Sequence, residues 1–289
     1  MSPLQAVILG LIEGVTEFLP VSSTGHLIIA SALMGLDSPE RKASVDAFTI
    51  VVQGGAILAV LGLYRSRVLQ MLRGVVARDD AGRRLLINLL VAFLPAAVLG
   101  VLLDDLIEAH LFRTGPVVAA LALGGVWMIW LGKRDRAIQP SSHHGSDGSG
   151  GITVDALSRR QALAIGLMQC VAMWPGTSRS MMTIAGGVML GMRRKDAAEF
   201  SFLLGLPTLG GACVYKLAKN LKESRDTGAP NLFEALGVAP VALGLVVAAV
   251  SAALAVKWLV AFLTRHGLAA FGWYRIALAG AVVVLAWRG

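Results

Sequence analysis

Residues 10–28 have the sequence Gly-Leu-Ile-Glu-Gly-Val-Thr-Glu-Phe-Leu-Pro-Val-Ser-Ser-Thr-Gly-His-Leu-Ile. The stretch is apolar enough for lipid, yet it carries two carboxylates, a run of hydroxyls and a histidine. Glu13 and Glu17 are four residues apart, so an α-helix places both on one face. Pro20 ends that helix, and Ser22-Ser23-Thr24 can cap a second one. Because an ionisable group at bilayer depth costs about 2.5–3.5 kcal/mol, we predict a functional site at this break.

The composition indicates a helical membrane protein. Hydrophobic residues make up 56% of the chain and charged residues 15%, whereas soluble domains carry about 25% charge. The stretches long enough for one crossing, about 20 residues each, are 46–65, 84–103, 114–132, 197–216, 236–258 and 268–287. The net charge of +8 does not predict a nucleic-acid partner, because the basic residues lie in short connections between these stretches. Cys170 and Cys213 are in apolar context and are expected to be free thiols.

Two further apolar stretches, 4–35 and 161–191, are interrupted near their centres. The second interruption has the sequence Trp174-Pro175-Gly176-Thr177-Ser178-Arg179-Ser180. Each half of these stretches is too short to cross a bilayer alone. Non-helical backbone persists at membrane depth only where it is buried in protein or lines a wet cavity. We therefore predict two re-entrant helix-turn-helix hairpins.

The hairpins begin two halves that resemble each other. Pro20 and Pro175 are 155 residues apart, and Phe48 and Phe200 are 152 apart. Each half has a hairpin followed by three crossings, an odd number, so the second half should be inverted relative to the first. The prediction is an all-α polytopic membrane protein with one integral membrane domain over 1–289. It consists of repeat one (1–132), a linker (133–160, flexible at 141–151) and repeat two (161–289).

The distribution of basic residues orients this arrangement. Residues 65–84 include six arginines, which predicts a cytoplasmic connection. Counting crossings then places the basic segments 133–160 and 191–196 on the same side, with both termini outside. Residues 217–235 become external although they hold three basic residues, which is against the rule. The first hairpin would enter from outside and the second from the cytoplasm.

The side chains in the two breaks suggest phosphate chemistry. Glu13 and Glu17 could bind a divalent cation or share a proton, or they could snorkel or make structural hydrogen bonds. Arg179 has a planar guanidinium that matches phosphate oxygens and lies where a helix N-terminus favours an anion; the alternative is that it only pairs with one of these carboxylates. Phosphoryl transfer needs such charge neutralisation together with an aligned nucleophile and a protonated or metal-bound leaving oxygen.

Three further polar residues lie within predicted crossings. Gln53 and Glu199 occupy nearly corresponding positions in the two halves and either face the centre or make hydrogen bonds between helices. Arg275 lies in the last crossing, where we expect it to snorkel or to pair with a carboxylate.

At this point the residues resemble a known family. The segment Glu13-Gly-Val-Thr-Glu17-Phe-Leu-Pro-Val-Ser-Ser-Thr-Gly-His26 is similar to the Glu-x-x-x-Glu and Pro-x-Ser-Ser-x-Gly-His signature of the undecaprenyl-diphosphatase family, also called bacitracin-resistance proteins. The second break resembles that family's Pro-Gly-x-Ser-Arg-Ser motif, and residues 51–60 and 199–204 fit as well. The chain departs from the family at Met181-Met182, where Gly-Ala is usual. The resemblance covers essentially the whole chain.

The resemblance implies that undecaprenyl diphosphate is dephosphorylated to the monophosphate carrier, which is recycled for peptidoglycan synthesis, and that bacitracin resistance follows. It also implies a divalent cation, Mg²⁺ or Ca²⁺. The protein would be a multi-pass protein of the bacterial plasma (inner) membrane, with its active site facing the periplasm or outside. Its partners would be the lipid substrate and the membrane, and the Gly-rich face at 205–211 would allow a homodimer.

Roles follow from this hypothesis. Glu13 and Glu17 hold the metal or act in proton transfer, and Arg179 clamps the phosphoryl oxygens. Ser23 attacks the terminal phosphorus, with His26 as its base or as acid for the leaving group; attack by Ser22 or by water is the alternative. Ser22, Thr24, Ser178 and Ser180 are expected to contribute hydrogen bonds to the substrate. The full set of expected substrate-binding residues is Ser22, Thr24, Gly176, Thr177, Ser178, Ser180 and Gln53.

The rival hypothesis is a lipid or anion transporter or flippase. Inverted repeats with broken helices are typical of carriers, and Arg179 could bind a translocated anion. The convergence of paired carboxylates with a hydroxyl and an imidazole favours hydrolysis, because anion transport gains little from carboxylates. A dual role, hydrolysis followed by flipping, is compatible with both patterns.

Overall fold

The computed structural model describes residues 1–36, 39–111, 113–138, 151–228 and 230–288, and within these ranges the chain is all-helical. A short 3₁₀ turn at Val154–Ala156 precedes the second half. The predicted linker segment 141–151 falls, but for its last residue, outside the described ranges. The helices are α1 (Pro3–Thr16), α2 (Ser23–Leu33), α3 (Pro39–Leu63), α4 (Arg65–Val75), α5 (Asp80–Leu111), α6 (Thr114–Ile138), α7 (Arg159–Val171), α8 (Arg179–Met189), α9 (Arg194–Thr227), α10 (Leu232–Leu236), α11 (Val238–His266) and α12 (Ala269–Arg288).

Within the part of the chain that the structure describes, five helices are long and apolar enough to cross a membrane: α5, α6, α9, α11 and α12. A sixth candidate is the pair formed by α3 and α4, which bend by 80° relative to each other at Tyr64. The six predicted crossings fall on α3, α5, α6, α9, α11 and α12. The protein is therefore a multi-pass helical membrane protein, as the apolar composition predicts.

Each of the two interrupted stretches consists of two short helices. In the first, α1 ends at Thr16 and α2 begins at Ser23; in the second, α7 ends at Val171 and α8 begins at Arg179. Ser22 and Ser178 cap the second helix of each pair, and both have a φ of 74°. Positive φ is uncommon for residues other than glycine. The same backbone solution thus appears at two positions 156 residues apart.

The first helices of the two pairs start alike as well. Ser2 forms a capping box with Gln5 at the start of α1, and Ser158 forms one with Gln161 at the start of α7. These positions also differ by 156 residues. In a capping box the serine and the glutamine each satisfy a backbone N–H that the helix leaves unpaired. The local sequence therefore sets where each broken stretch begins.

Glycines let the short helices approach the long ones closely. A Cβ at Gly10 of α1 would lie 2.6 Å from the carbonyl oxygen of Gly244 on α11. In the second half, a Cβ at Gly166 of α7 would clash with the backbone of Ala92 on α5. Contacts between α3 and α9 and between α6 and α12 join the halves. This packing brings the break after α1 and the break after α7 together inside the molecule.

Candidate functional site

The two breaks meet through charged and polar contacts. Arg179 Nη2 donates to Glu17 Oε1 at 3.4 Å, and the two side chains are only 10% and 6% exposed. The guanidinium also lies over the ring of Phe18, with its carbon 5.4 Å from the centroid. Ser180 Oγ donates to the carbonyl of Leu19 at 2.9 Å. Residues 17–19 of the first break therefore contact residues 179–180 of the second, and Arg179 forms the pair with a carboxylate that the sequence analysis gave as the alternative to phosphate binding.

Ser23 is the hydroxyl that the structure joins to a carboxylate. Its Oγ donates to Glu17 Oε2 at 2.9 Å. The side chain of Ser22 is used differently: it is buried, and its Oγ accepts from the N–H of Gly25 as the cap of α2. A hydrogen bond to an ionised acceptor is stronger than one between neutral groups. Of the two candidate nucleophiles, Ser23 is thus the one with an adjacent proton acceptor.

Glu13 is a buried carboxylate that lacks a partner. It is 1% exposed, and neither carboxylate oxygen has a hydrogen-bond partner among the described residues. It lies close enough to Glu17 for the two carboxylates to interact electrostatically. A buried acceptor left unsatisfied costs about 1–3 kcal/mol, and more if it is charged. A cation or a shared proton at this pair would satisfy both groups.

A cation bound by Glu13 and Glu17 would take its remaining ligands from water and substrate, because the residues that the structure describes supply too few to enclose it. Within the described ranges, no three His, Cys, Asp or Glu side chains cluster so as to hold a metal. Mg²⁺ is usually bound by one or two carboxylates together with waters and substrate phosphates. The orphaned oxygens of Glu13, next to Glu17, supply such a donor set.

His26 lies on α2 but is not placed on Ser23. Its Nδ1 is 2.7 Å from the carbonyl oxygen of Ser22, and its Nε2 is 2.7 Å from the hydroxyl of Tyr274. Because a carbonyl only accepts, Nδ1 must carry the hydrogen, and Nε2 of the neutral ring accepts from Tyr274. The two rings are stacked with centroids 5.6 Å apart. His26 therefore has Tyr274, a residue that the sequence hypothesis missed, as its partner.

An apolar cavity of about 400 Å³ begins beside His26. It lies between α1, α2 and the middle of α12, and its lining residues are Ile8, Ile12, His26, Ile29, Ala30, Leu33, Met34 and Leu278. His26 thus stands where the polar break changes into a hydrocarbon-lined groove. Such a boundary suits a ligand with a polar head and an apolar tail.

Arg179, at the second break, is held from several sides. Arg179 Nη1 donates to the carbonyl of Ser201 on α9 at 2.8 Å. Ser178 Oγ caps α8 by accepting from the N–H of Met181 and lies 3.1 Å from Ser180 Oγ. Thr177 is buried in the turn, where Gly176 has a φ of 95°. These predicted binding residues therefore build the turn that carries Arg179, while Thr24 is half-buried in the first turn of α2.

Two other predicted polar residues have partners between helices. Glu199 accepts from Arg67 Nε at 2.8 Å, and Arg67 also pairs with Asp155. Gln53 is on α3 and faces α9, where its Oε1 is 3.7 Å from the Sγ of Cys213. For Glu199 the structure thus shows the inter-helix alternative. Both cysteines are free thiols, as predicted.

The expectation for Arg275 is wrong. It is 0% exposed and so does not snorkel, and among the described residues it pairs with no carboxylate: its Nη2 donates to the carbonyls of Ala120 and Gly176 at 3.0 and 2.8 Å. The physical reason is the close packing of α12 on α6, where Gly124 has no side chain to fill the space that the guanidinium occupies. A charged residue in an otherwise apolar crossing was the only sequence signal for this contact.

Comparisons with known proteins identify relatives of this chain over nearly its whole length. The family model described as "Bacitracin resistance protein BacA" matches residues 6–281. The undecaprenyl-diphosphatase of Sorangium cellulosum is 46% identical over 280 residues, which cover 97% of this chain and 85% of that protein. That of Azotobacter vinelandii is 45% identical over 98% of this chain and 94% of its own length. That of Acidovorax ebreus is 42% identical, with coverages of 99% and 96%.

The contact between the breaks predicts energetic coupling. Arg179→Met leaves Glu17 buried without its ion-pair partner, which should cost about 3 kcal/mol of stability. Adding Glu17→Gln should recover most of that loss, because the uncompensated charge is then gone. Thermal unfolding of the two single variants and the double variant in detergent measures the coupling. The exposed pair Arg83–Asp80 is the control, since its removal should change stability by less than about 1 kcal/mol. Additive effects of Glu17→Gln and Arg179→Met would contradict the contact.

Proposed function

Because this chain belongs to the bacitracin resistance protein BacA family, we propose that it is an undecaprenyl-diphosphatase of the membrane. It hydrolyses undecaprenyl diphosphate to undecaprenyl phosphate and inorganic phosphate. The product returns to peptidoglycan synthesis as the lipid carrier, and removal of the diphosphate lipid confers resistance to bacitracin. The relatives reported above are named for this activity, and this chain aligns with 85–96% of their length.

One observation carries the proposal at the level of chemistry. A single carboxylate, that of Glu17, accepts a hydrogen bond from the Ser23 hydroxyl and forms an ion pair with Arg179. A nucleophile, a proton acceptor and a cation for phosphoryl oxygens are therefore contiguous in a buried place. Nucleophilic catalysis requires the first two groups within hydrogen-bond reach of each other. Phosphoryl transfer requires the third to neutralise charge.

The reaction follows from these contacts. Ser23 Oγ attacks the terminal phosphorus as its proton passes to Glu17, and the bond from that phosphorus to the bridging oxygen breaks. Arg179 stabilises the charge that spreads over the phosphoryl oxygens in the transition state. Water then cleaves the phosphoserine and releases phosphate. In the alternative course, water attacks directly and gives its proton to Glu17, without a phosphoserine.

In this proposal His26 acts on the leaving group and not on Ser23. Its geometry does not support the role of base for Ser23, because Ser23 donates to Glu17 and Nδ1 faces the carbonyl of Ser22. The remaining role is that of acid, which requires the imidazolium form of His26: Nδ1–H then stays on the carbonyl of Ser22, and the proton on Nε2 can pass to the departing phosphate oxygen. The apolar cavity that begins at His26 would hold the first isoprenoid units of the tail.

A divalent cation, Mg²⁺ or Ca²⁺, would be held by Glu13 and Glu17. When bound, it would neutralise part of the charge of the diphosphate and orient its oxygens. The support is the orphaned carboxylate of Glu13, which otherwise stays buried without compensation. Without the cation, Glu17 still accepts from Ser23 and pairs with Arg179.

The architecture proposed from the sequence is an inverted repeat with two re-entrant hairpins in one domain. Its support is the constant spacing of 156 residues between the capping boxes at Ser2 and Ser158 and between the positive-φ caps at Ser22 and Ser178. In the same sense, α1 packs on α11 while its counterpart α7 packs on α5. The site would face the outside of the plasma (inner) membrane, where the lipid is dephosphorylated. A homodimer remains part of the proposal.

The transporter alternative gains no support. Its pattern, broken helices that meet inside the protein, is shared with the hydrolase, and a carrier has no use for a serine hydroxyl bonded to a carboxylate. The relatives reported above are named for a diphosphatase activity.

Phosphate release tests the function and the nucleophile together. Purified protein in detergent should release phosphate from undecaprenyl diphosphate, and Ser23→Ala should lower the rate by at least about 1,000-fold. Ser22→Ala is the matched control: it removes a helix cap worth about 1 kcal/mol and should stay within about tenfold of wild type. The reverse ranking would move the nucleophile to Ser22. Activity in both variants would favour direct attack by water, and a folded wild type that releases no phosphate would overturn the function.

Metal removal tests the carboxylate pair. A chelator should abolish phosphate release and added Mg²⁺ should restore it, because the cation offsets diphosphate charge. Glu13→Gln should raise the Mg²⁺ concentration for half-maximal rate by about tenfold or more, since the site loses one of two carboxylates. Glu199→Gln, whose carboxylate pairs with Arg67, should keep the wild-type requirement. An unchanged Mg²⁺ response in Glu13→Gln would remove Glu13 from the metal site.

Thiol labelling tests the inverted orientation. The exposed connections after α4 and after α9 are counterparts in the two halves, so inversion places them on opposite sides of the membrane. In a Cys170→Ala, Cys213→Ala background, a membrane-impermeant thiol reagent should label Pro230→Cys in intact cells. It should label Arg78→Cys only after the cells are permeabilised. Equal access to both positions in intact cells would be incompatible with the inverted repeat.

A further inference from the structure

Arg275 is a buried cation with no part in the mechanism above. Its side chain on α12 is 0% exposed, and none of the ion pairs found among the described residues includes it. Nη2 donates to the carbonyls of Ala120 and Gly176, whereas Nε and Nη1 have no hydrogen-bond partner within the described ranges. An uncompensated buried charge is destabilising. An apolar residue would fill this space at lower cost. The presence of an arginine that donates through Nη2 therefore indicates a role in function.

The packing around Arg275 is built to admit its guanidinium. A Cβ at Gly124 of α6 would lie 2.5 Å from Nη2, and the same point lies 3.1 Å from the Cε of Met181. Met181 is itself buried in the first turn of α8. The guanidinium therefore occupies a slot between α6 and the beginning of the helix that carries Arg179.

The carbonyl that Arg275 binds belongs to the turn of the second hairpin. Gly176 has a φ of 95°, which a residue with a side chain rarely adopts. A Cβ there would lie 2.6 Å from the carbonyl oxygen of Val117 on α6, so the turn lies directly against that helix. One nitrogen of Arg275 thus joins α12, α6 and the turn. Arg179 follows Gly176 by three residues.

We propose that Arg275 is a positioning residue for the phosphoryl-transfer reaction. By binding the carbonyl of Gly176, Arg275 keeps the turn packed against α6. The position of the turn then keeps Arg179 beside Glu17. The inference rests on the proposed function for its kinetic consequence. Arg275 touches no reacting atom, so its loss should act through the placement of Arg179. Because Arg179 stabilises the transition state, a displaced turn should lower kcat and leave KM nearly unchanged.

The experiment compares three variants in detergent. Arg275→Met removes the donor and the charge, Arg275→Lys keeps both, and Arg265→Met removes an exposed arginine at the end of α11 as the control. Steady-state phosphate release from undecaprenyl diphosphate gives kcat and KM. Hydrogen exchange of a peptide spanning 172–182 reports on the order of the turn without any use of substrate.

Arg275→Met should lower kcat about 100-fold, with KM within about threefold, because misplacement of a charged group by about 1 Å has that effect. Its turn should exchange faster than that of the wild type. Arg275→Lys should return kcat to within about tenfold of wild type, and Arg265→Met should match the wild type in both measurements. A purely structural role would instead lower the folded fraction and leave the kcat of the folded protein unchanged.

The proposal is overturned if folded Arg275→Met has the kcat of the wild type, or if its turn exchanges at the wild-type rate. Should Arg275→Met fail to fold, Gly124→Ala takes its place, because its Cβ would lie 2.5 Å from Nη2 and displace the guanidinium from the carbonyl of Gly176; the same results support or overturn the proposal. A wild type that releases no phosphate would count against the proposed function. Hydrogen exchange would in that case still decide whether Arg275 holds the turn.

Discussion

The ion pair between Glu17 and Arg179 is the contact on which the rest of this structure depends. Each side chain alone would be a charge buried in an apolar interior, which is costly in a membrane protein. Together they compensate each other, and Glu17 also takes the hydroxyl of Ser23. The pairing is available only because both helix breaks lie side by side. The packing of the helices and the pairing of the charges therefore depend on each other.

Close packing of short helices on long ones meets that requirement. The contacts of Gly10 on α1 and Gly166 on α7 leave no room for a Cβ, so backbone approaches backbone. In lipid, where no hydrophobic force drives helices together, such close contacts supply much of the association energy. The glycines in the helices are thus as important to the site as the polar residues in the breaks, since they set the depth at which the breaks meet.

Two positions with the same backbone conformation carry different chemical groups. Ser23 and Arg179 each follow a serine with positive φ and each begin a helix, 156 residues apart. One position presents a hydroxyl and the other a guanidinium. Glu13 and Gln169 are likewise counterparts, a carboxylate and an amide that are both buried. In the proposed reaction a phosphoryl group needs a nucleophile on one side and positive charge around its oxygens, and Ser23 and Arg179 would provide them.

The sequence by itself determined the helical membrane class, the two breaks, the shared face of Glu13 and Glu17 and the family, because these depend on local periodicity, capping and contiguous motifs. Only the tertiary structure decided which hydroxyl meets Glu17, that His26 bonds to Tyr274, 248 residues away, and that Arg275 binds backbone carbonyls. The contacts of His26 and Arg275 join segments far apart in the chain, whereas Ser23 and Glu17 are close in sequence and meet through the conformation of the break between them. Helical spacing determines which face of its own helix a residue occupies. Which residues it meets on a neighbouring helix depends on how helices distant in sequence pack together.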